Sequence, residues 1–225
     1  MSLLDRSLGS LARDLPGATR IFHHYRLDFC CGGQTLLRDA LAERGLDAAE
    51  LLASLESLPA QHDDERNWGQ AGTGELIDHI LSRYHSVHRE QLVELLRLAR
   101  RVEAVHGDHP DCPAGLADHL DAMRQELESH MQKEEQILFP MLRRGLFDPA
   151  RGPITVMRME HDDHGQALAR LLALTHNLTL PAEACNTWQA LYAGIGELHT
   201  DLMQHIHLEN NILFQPSQRQ EVQHG

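Results

Sequence analysis

No run of the 225 residues approaches the roughly 18–20 uninterrupted apolar positions that a membrane-spanning helix requires. The opening residues, MSLLDRSLGSLARDLPG, carry acids where a secretion signal needs an apolar stretch, so a cytoplasmic location is expected. Strand signals are lacking along the whole chain, which leaves an all-α fold. Positive charge is scarce: 20 Lys plus Arg stand against 33 Asp plus Glu, a net charge of -13. That balance argues against nucleic acid or an anionic membrane as a partner. Four cysteines are too few for a disulfide framework in a chain of this size, so each needs its own chemical argument. What the chain does have is 42% hydrophobic residues, ample for a core, and seventeen histidines, the outlier of its composition.

Two of those histidines open HxxxE pairs, His130 with Glu134 and His205 with Glu209. The first interrupts the seam Leu116, Leu120, Met123, Leu127, His130, Glu134, Ile137, Met141, and the second the seam Leu191, Ile195, Leu198, Leu202, His205, Glu209, Ile212. Steps of three and four are the rhythm of one buried helix face. In each seam an imidazole and a carboxylate replace two core residues one turn apart and point the same way. A single core histidine is ordinarily just a hydrogen-bonded one. The same pair on two helices is the pattern of a metal site, because a bound cation compensates a buried carboxylate that otherwise costs several kcal/mol, on the order of 3–5.

Four long helices are predicted from residue 74 onward: about 74–105 with Thr73 as its cap, about 114–143, from after Pro153 to about 176, and from 182–184 to before Pro216. Short connections make them antiparallel, an up-down-up-down four-helix bundle. Residues 58–73 read as a polar linker with Pro59, Gly69 and Gly72. Ahead of it, residues 1–57 form a small helical domain with helices over Leu8–Leu15, Pro16–Arg26, Gln34–Arg44 and Asp47–Leu58. So small a unit is expected to pack on the bundle, residues 74–225, or on a second copy in a homodimer.

The first and third long helices add inward histidines, His85 and His88 on one and His161 and His164 on the other. Periodicity leaves open which member of each pair is a ligand. One histidine from each, with both HxxxE pairs, gives four imidazoles and two carboxylates, a set suited to two cations sharing a carboxylate. Nitrogen and oxygen donors without thiolate favour iron over manganese or zinc. Depth is consistent: His85 lies roughly 30 Å before the end of its helix and His130 roughly 24 Å into the next. The same count excludes His106, about 30 Å further along the first helix than His85.

The stretches RYHSVHREQL, ESHMQKEEQILFPM, MRMEHDDHGQAL and MQHIHLENNILF resemble the haemerythrin-like di-iron bundle of the repair-of-iron-centres family, and DFCCGG resembles the motif of that family's small N-terminal domain. The resemblance spans essentially the whole chain. It implies His85, His130, His161 and His205 as terminal ligands and Glu134 and Glu209 as bridging carboxylates of an oxo- and carboxylate-bridged di-iron centre. His88 and His164 remain as additional candidates. His164 departs from the family pattern, and a fifth histidine of this kind occurs in oxygen-carrying haemerythrin. The implied function is repair of iron-sulfur clusters damaged by nitrosative or oxidative stress, with damaged iron-sulfur proteins as partners. Iron donated from the site, or reduction of nitric oxide to nitrous oxide there, is the implied chemistry. Nitric oxide or oxygen would be the small ligand, and nitric oxide reductase activity would make the protein an enzyme. An oxygen-binding or iron-storing module without repair activity is the alternative.

Glu126, one turn before His130, and Glu160, beside His161, are candidate proton carriers. Cys30 and Cys31, followed by Gly32 and Gly33, are a candidate redox pair, with a thiolate stabilised by the helix expected to start near Gln34.

Overall fold

The structure, a computed structural model, describes residues 2–15, 17–58 and 68–215. Regular elements among the described residues are all helical, apart from an isolated antiparallel bridge between Ser7 and Leu36. No helix of the described residues is long and apolar enough to cross a membrane. Two compact units make up the chain, one of Met1–Ile77 with Met203–Gly225 and one of Asp78–Leu202.

The first unit holds α1 (Leu8–Asp14), α2 (Ala18–His24), α3 (Leu37–Arg44) and α4 (Ala48–Glu56). Ser7 caps α1 by accepting the Ser10 N–H, and Asp47 caps α4 by accepting the Ala49 N–H. Leu8, Leu11, Phe22, Leu37 and Leu51 form its buried centre. The helix expected from Gln34 begins only at Leu37. The Leu8 N–H donates to Thr35 O at 2.9 Å and the Leu37 N–H to Arg6 O at 2.9 Å, so the preceding residues spend their backbone groups on the bridge instead. Pro16, expected at a helix start, and 59–67 of the expected linker lie outside the described residues.

The long helices, of which Asp78–Leu202 form the second unit, begin with a rod that opens as α5 (Thr73–His79) and continues through a π-helical turn (Ile80–His85) into α6 (Ser86–His106). Thr73, expected as the cap, is the first residue of that helix. Next come α7 (Leu116–Lys133), a π-helical turn (Glu134–Leu138) and α8 (Phe139–Arg143), then α9 (Phe147–Leu174) and α10 (Asn186–Leu208), which passes into a third π-helical turn (Glu209–Leu213). The third long helix therefore begins before Pro153, not after it. Pro149 falls within the first turn, where N–H groups have no intrahelical partner, and Pro153 forgoes a single bond. The fourth begins at Asn186, with Cys185 O accepting the Gln189 N–H at 3.0 Å.

Neighbouring helices run antiparallel. Arg143, ending α8, pairs with Asp78; His119 near the start of α7 meets Ala167 O of α9 at 2.9 Å; Arg83 grips Asp201 through two bonds of 2.7 and 3.0 Å, while Trp188 at the opposite end of α10 packs on His106. These contacts close an up-down-up-down four-helix bundle.

The π-helical turns correct the predicted seams. Each carries an i→i+5 bond, from the Ser86 N–H to Leu81 O, from the Phe139 N–H to Glu134 O and from the Phe214 N–H to Glu209 O. One extra residue in a turn rotates all that follows by about 100°. Ile137, predicted inward, is 54% exposed, and Leu138 takes the core position at 1%. Met141 likewise gives way to Leu142, which is fully buried. Replacing Leu138 by Ala should cost about 2–5 kcal/mol in urea unfolding, against roughly 0.5 kcal/mol for Ile137→Ala. The reverse order would restore the unbroken α-helical register.

Candidate metal centre

Three helices of the second unit bring imidazoles to one carboxylate. Glu134 opens its π-helical turn with its side chain fully buried, and its Oε2 lies 3.5 Å from Nε2 of His85 and 3.5 Å from Nε2 of His130. Nε2 of His161, from α9, is 3.1 Å from Nε2 of His130. All four residues are sealed from solvent.

The outer ring nitrogens decide the chemistry. Nδ1 of His85 meets Glu135 Oε1 at 2.8 Å, and Nδ1 of His130 meets Glu160 Oε2 at 2.9 Å. A carboxylate accepts, so each Nδ1 donates, and in the neutral imidazole, the form that binds metal, each Nε2 then keeps its lone pair. Those lone pairs face another acceptor, the Glu134 carboxylate. Acceptors turned toward each other in a dry core are unstable without a cation between them. The residues therefore fit a metal ion of the iron, manganese or zinc type, bound by imidazole and carboxylate. The outer carboxylates are themselves anchored. Arg89 bridges Glu135 at 3.0 Å and Glu128 at 2.8 Å, and Lys133 pairs with Glu160. Burial pushes the Glu135 carboxyl up, but hydrogen bonds from His85 and Arg89 outweigh it and hold it below its ordinary value.

His88 and His164 are also buried, but they take other positions. Nδ1 of His88 meets Gln91 Oε1 at 3.3 Å, and the His164 ring stands edge-on to His130 with centroids 4.9 Å apart. Between α7 and α9 opens a cleft of about 610 Å³ whose lining includes Glu126, Lys133, Glu160 and His164. Both proposed proton carriers thus border one solvent cleft, and Glu160 also holds a ligand candidate. His106, set aside by depth, lies tilted against Trp188 with Nε2 at 3.2 Å from Cys185 Sγ.

In the first unit the other pair is equally buried, with Nε2 of His205 at 3.1 Å from Glu209 Oε1. Glu209 also opens a π-helical turn. Its neighbours Asn210 and Asn211 reach the Cys30–Cys31 loop: Asn210 Nδ2 donates to Cys30 O at 3.2 Å and Asn211 Nδ2 to Phe29 O at 3.1 Å. The buried His207 imidazole packs edge-on against Phe29, and burial lowers its pKa to about 4. The Cys30 and Cys31 side chains are thiols with sulfurs 3.7 Å apart, and Asp28 Oδ1 accepts both their N–H groups. The expected thiolate stabilisation by a helix terminus is absent, since α3 starts at Leu37. Hydrogen bonding to the Cys31 sulfur, then burial and the Asp28 carboxylate, push the Cys30 thiol up instead.

Sequence reasoning passed over Glu135, Arg89 and Lys133, which look like ordinary surface charges, and the Asn210–Asn211 pair. The pair did leave a signal, two polar residues inside the apolar run HIHLENNILF.

Comparison with known proteins accounts for both parts of the chain. Residues 76–215 match the Hemerythrin HHE cation binding domain, and residues 4–59 match a Domain of Unknown function (DUF542). Helical bundle and histidine-carboxylate cluster together define a haemerythrin-like metal-binding protein. The chain is 52% identical to the iron-sulfur cluster repair protein YtfE of Musicola paradisiaca, over 99% of this chain and all of that one. It is 54% identical to the iron-sulfur cluster repair protein YtfE of Yersinia pseudotuberculosis and 50% identical to a probable iron-sulfur cluster repair protein of Haemophilus influenzae, each over 95% of this chain and 97% of the relative. The protein belongs to this family of iron-sulfur cluster repair proteins.

Removing the outer anchors should loosen the cation without touching a ligand. Glu160→Ala and Glu135→Ala are each expected to weaken metal binding by about 10–100-fold in chelator competition. Unchanged affinity in both would detach these carboxylates from the site.

Proposed function

We propose that the protein repairs iron-sulfur clusters damaged by nitrosative or oxidative stress, acting in the cytoplasm on damaged iron-sulfur proteins through a di-iron centre. The observation that carries this reading is the convergence of His85, His130 and His161 on Glu134, and the names of relatives matched over nearly their full length support it. His85, His130, Glu134, His161, His205 and Glu209 would hold the two irons. The cation-binding family model supports this assignment, since it spans every one of these residues.

Two adjacent ferrous ions would supply the two electrons that couple two nitric oxide molecules into nitrous oxide, and the same iron is the cargo a depleted cluster lacks. The remaining roles fall to the chain. Glu135 and Glu160 fix the His85 and His130 rings so that Nε2 faces inward. Glu160, paired with Lys133, and Glu126 line the cleft and would relay protons between water and the centre. Phe139 lies against the His85 ring, with centroids 5.7 Å apart, and keeps water from that side.

A second reading, an oxygen-binding or iron-storing module, is favoured by one observation, the extra buried imidazole of His164 beside His130. One experiment separates them. Anaerobically loaded protein should carry about two irons per chain, restore a nitric-oxide-damaged iron-sulfur enzyme, and lose that ability with Glu134→Ala. Stable loading with reversible oxygen uptake and no restoration would establish the module instead.

A further inference from the structure

The two HxxxE segments are copies of one motif, HMQKEEQILF and HIHLENNILF, each with its π-helical turn opening on the carboxylate. They differ at the position after it. In the first copy Glu135 orients an imidazole, whereas in the second Asn210 holds the carbonyl of Cys30. Asn211 adds a second bond to the same loop, at Phe29 O. The fit is tight: a Cβ on Gly9 would stand 2.6 Å, and one on Gly33 3.0 Å, from Asn211 Oδ1. The Gly9 N–H donates to Gly33 O at 2.8 Å, tying α1 to the loop as well. The turn bearing Glu209 and the loop bearing the two thiols are thus one mechanical piece.

We propose that Asn210 is a positioning residue for Glu209 and that the thiol or disulfide state of Cys30–Cys31 acts through it to set how firmly iron is held. This rests on the reading of Glu209 as an iron ligand. A disulfide between adjacent cysteines closes an eight-membered ring that contains their peptide bond. The carbonyl in that bond is Cys30 O, the acceptor of Asn210. Closing the ring turns the carbonyl, breaks the bond from Asn210 and leaves the Glu209 turn tied to the loop through Asn211 alone.

The oxidant is a low-molecular-weight disulfide. The Cys31 thiolate, the more exposed of the two, attacks one of its sulfurs and expels a thiolate; the Cys30 sulfur then attacks the mixed disulfide at Cys31 and expels the second. Two electrons pass from the cysteine sulfurs to the oxidant, and the two cysteine protons end on the two departing thiols. Oxidising conditions, which damage clusters, would thereby release iron for their repair.

The test is the rate at which a ferrous chelator captures iron, without oxygen, from the loaded full-length protein before and after treatment with oxidised glutathione. Release should quicken about tenfold on oxidation, within the range for loss of a ligand's supporting bond, and Cys30→Ser, Cys31→Ser should remain slow in both conditions. Asn210→Ala should release fast already as the dithiol and gain nothing on oxidation, with helicity by circular dichroism showing that it is folded. Asn210→Gln should recover part of the difference. Equal rates for the parent in both thiol states, or parent-like behaviour of folded Asn210→Ala, would overturn the coupling alone. A parent that takes up no iron would overturn the ligand assignment and this inference with it.

Discussion

Electron pairs facing one another inside a dry core are the constraint from which the rest follows. Glu135 and Glu160 take the Nδ1 hydrogen bonds of His85 and His130, so the inner nitrogens of the neutral rings present lone pairs to the Glu134 carboxylate. Without a cation that arrangement is costly. With one, each repulsion becomes a coordination bond, and the helices that carry the donors are drawn together. The bundle supplies the long apolar seams, Leu116 to Leu127 and Leu191 to Leu202 among them, that fix the helices firmly enough to hold so unfavourable a group of side chains.

Backbone geometry is spent at the same places. A π-helical turn contains or begins at His85, Glu134 and Glu209, so three proposed ligands sit where the helical register shifts by one residue. Such turns carry poorer hydrogen bonding than an α-helix and concentrate at functional positions. Here each shift lets a polar side chain point inward while the apolar face resumes immediately afterwards, with Leu138 following Glu134 and Leu213 following Glu209.

Much of this was legible in the sequence, for a definite reason. The HxxxE pairs stand out because they break an apolar rhythm, and the rhythm itself located the long helices and the buried positions up to each ligand. Past Glu134 it failed, since steps of three and four do not anticipate an i→i+5 turn, and Ile137 was placed inside where Leu138 belongs. The start of α9 was set too late because Pro153 was read as a boundary, although the helix carries it inside its second turn at the loss of one backbone bond. Glu135 was invisible as an anchor, being one residue from a ligand and on a face that a regular helix turns to solvent. Asn210 and Asn211 were visibly out of place, but their partners lie 180 and 182 residues away in the chain, and no local pattern joins them.

The same constraint ties stability to metal binding, since a bound cation offsets the repulsion that would otherwise weaken the core. A cation at a hundredfold excess over its Kd stabilises the fold by about 2.7 kcal/mol. The most direct measurement compares urea unfolding of the parent and Glu134→Gln, each stripped of metal and each loaded with iron. The account predicts a crossing: the variant at least as stable as the parent when stripped, because a buried charge is gone, and the parent more stable when loaded. A parent more stable in both states, or iron that leaves both curves unmoved, would contradict it.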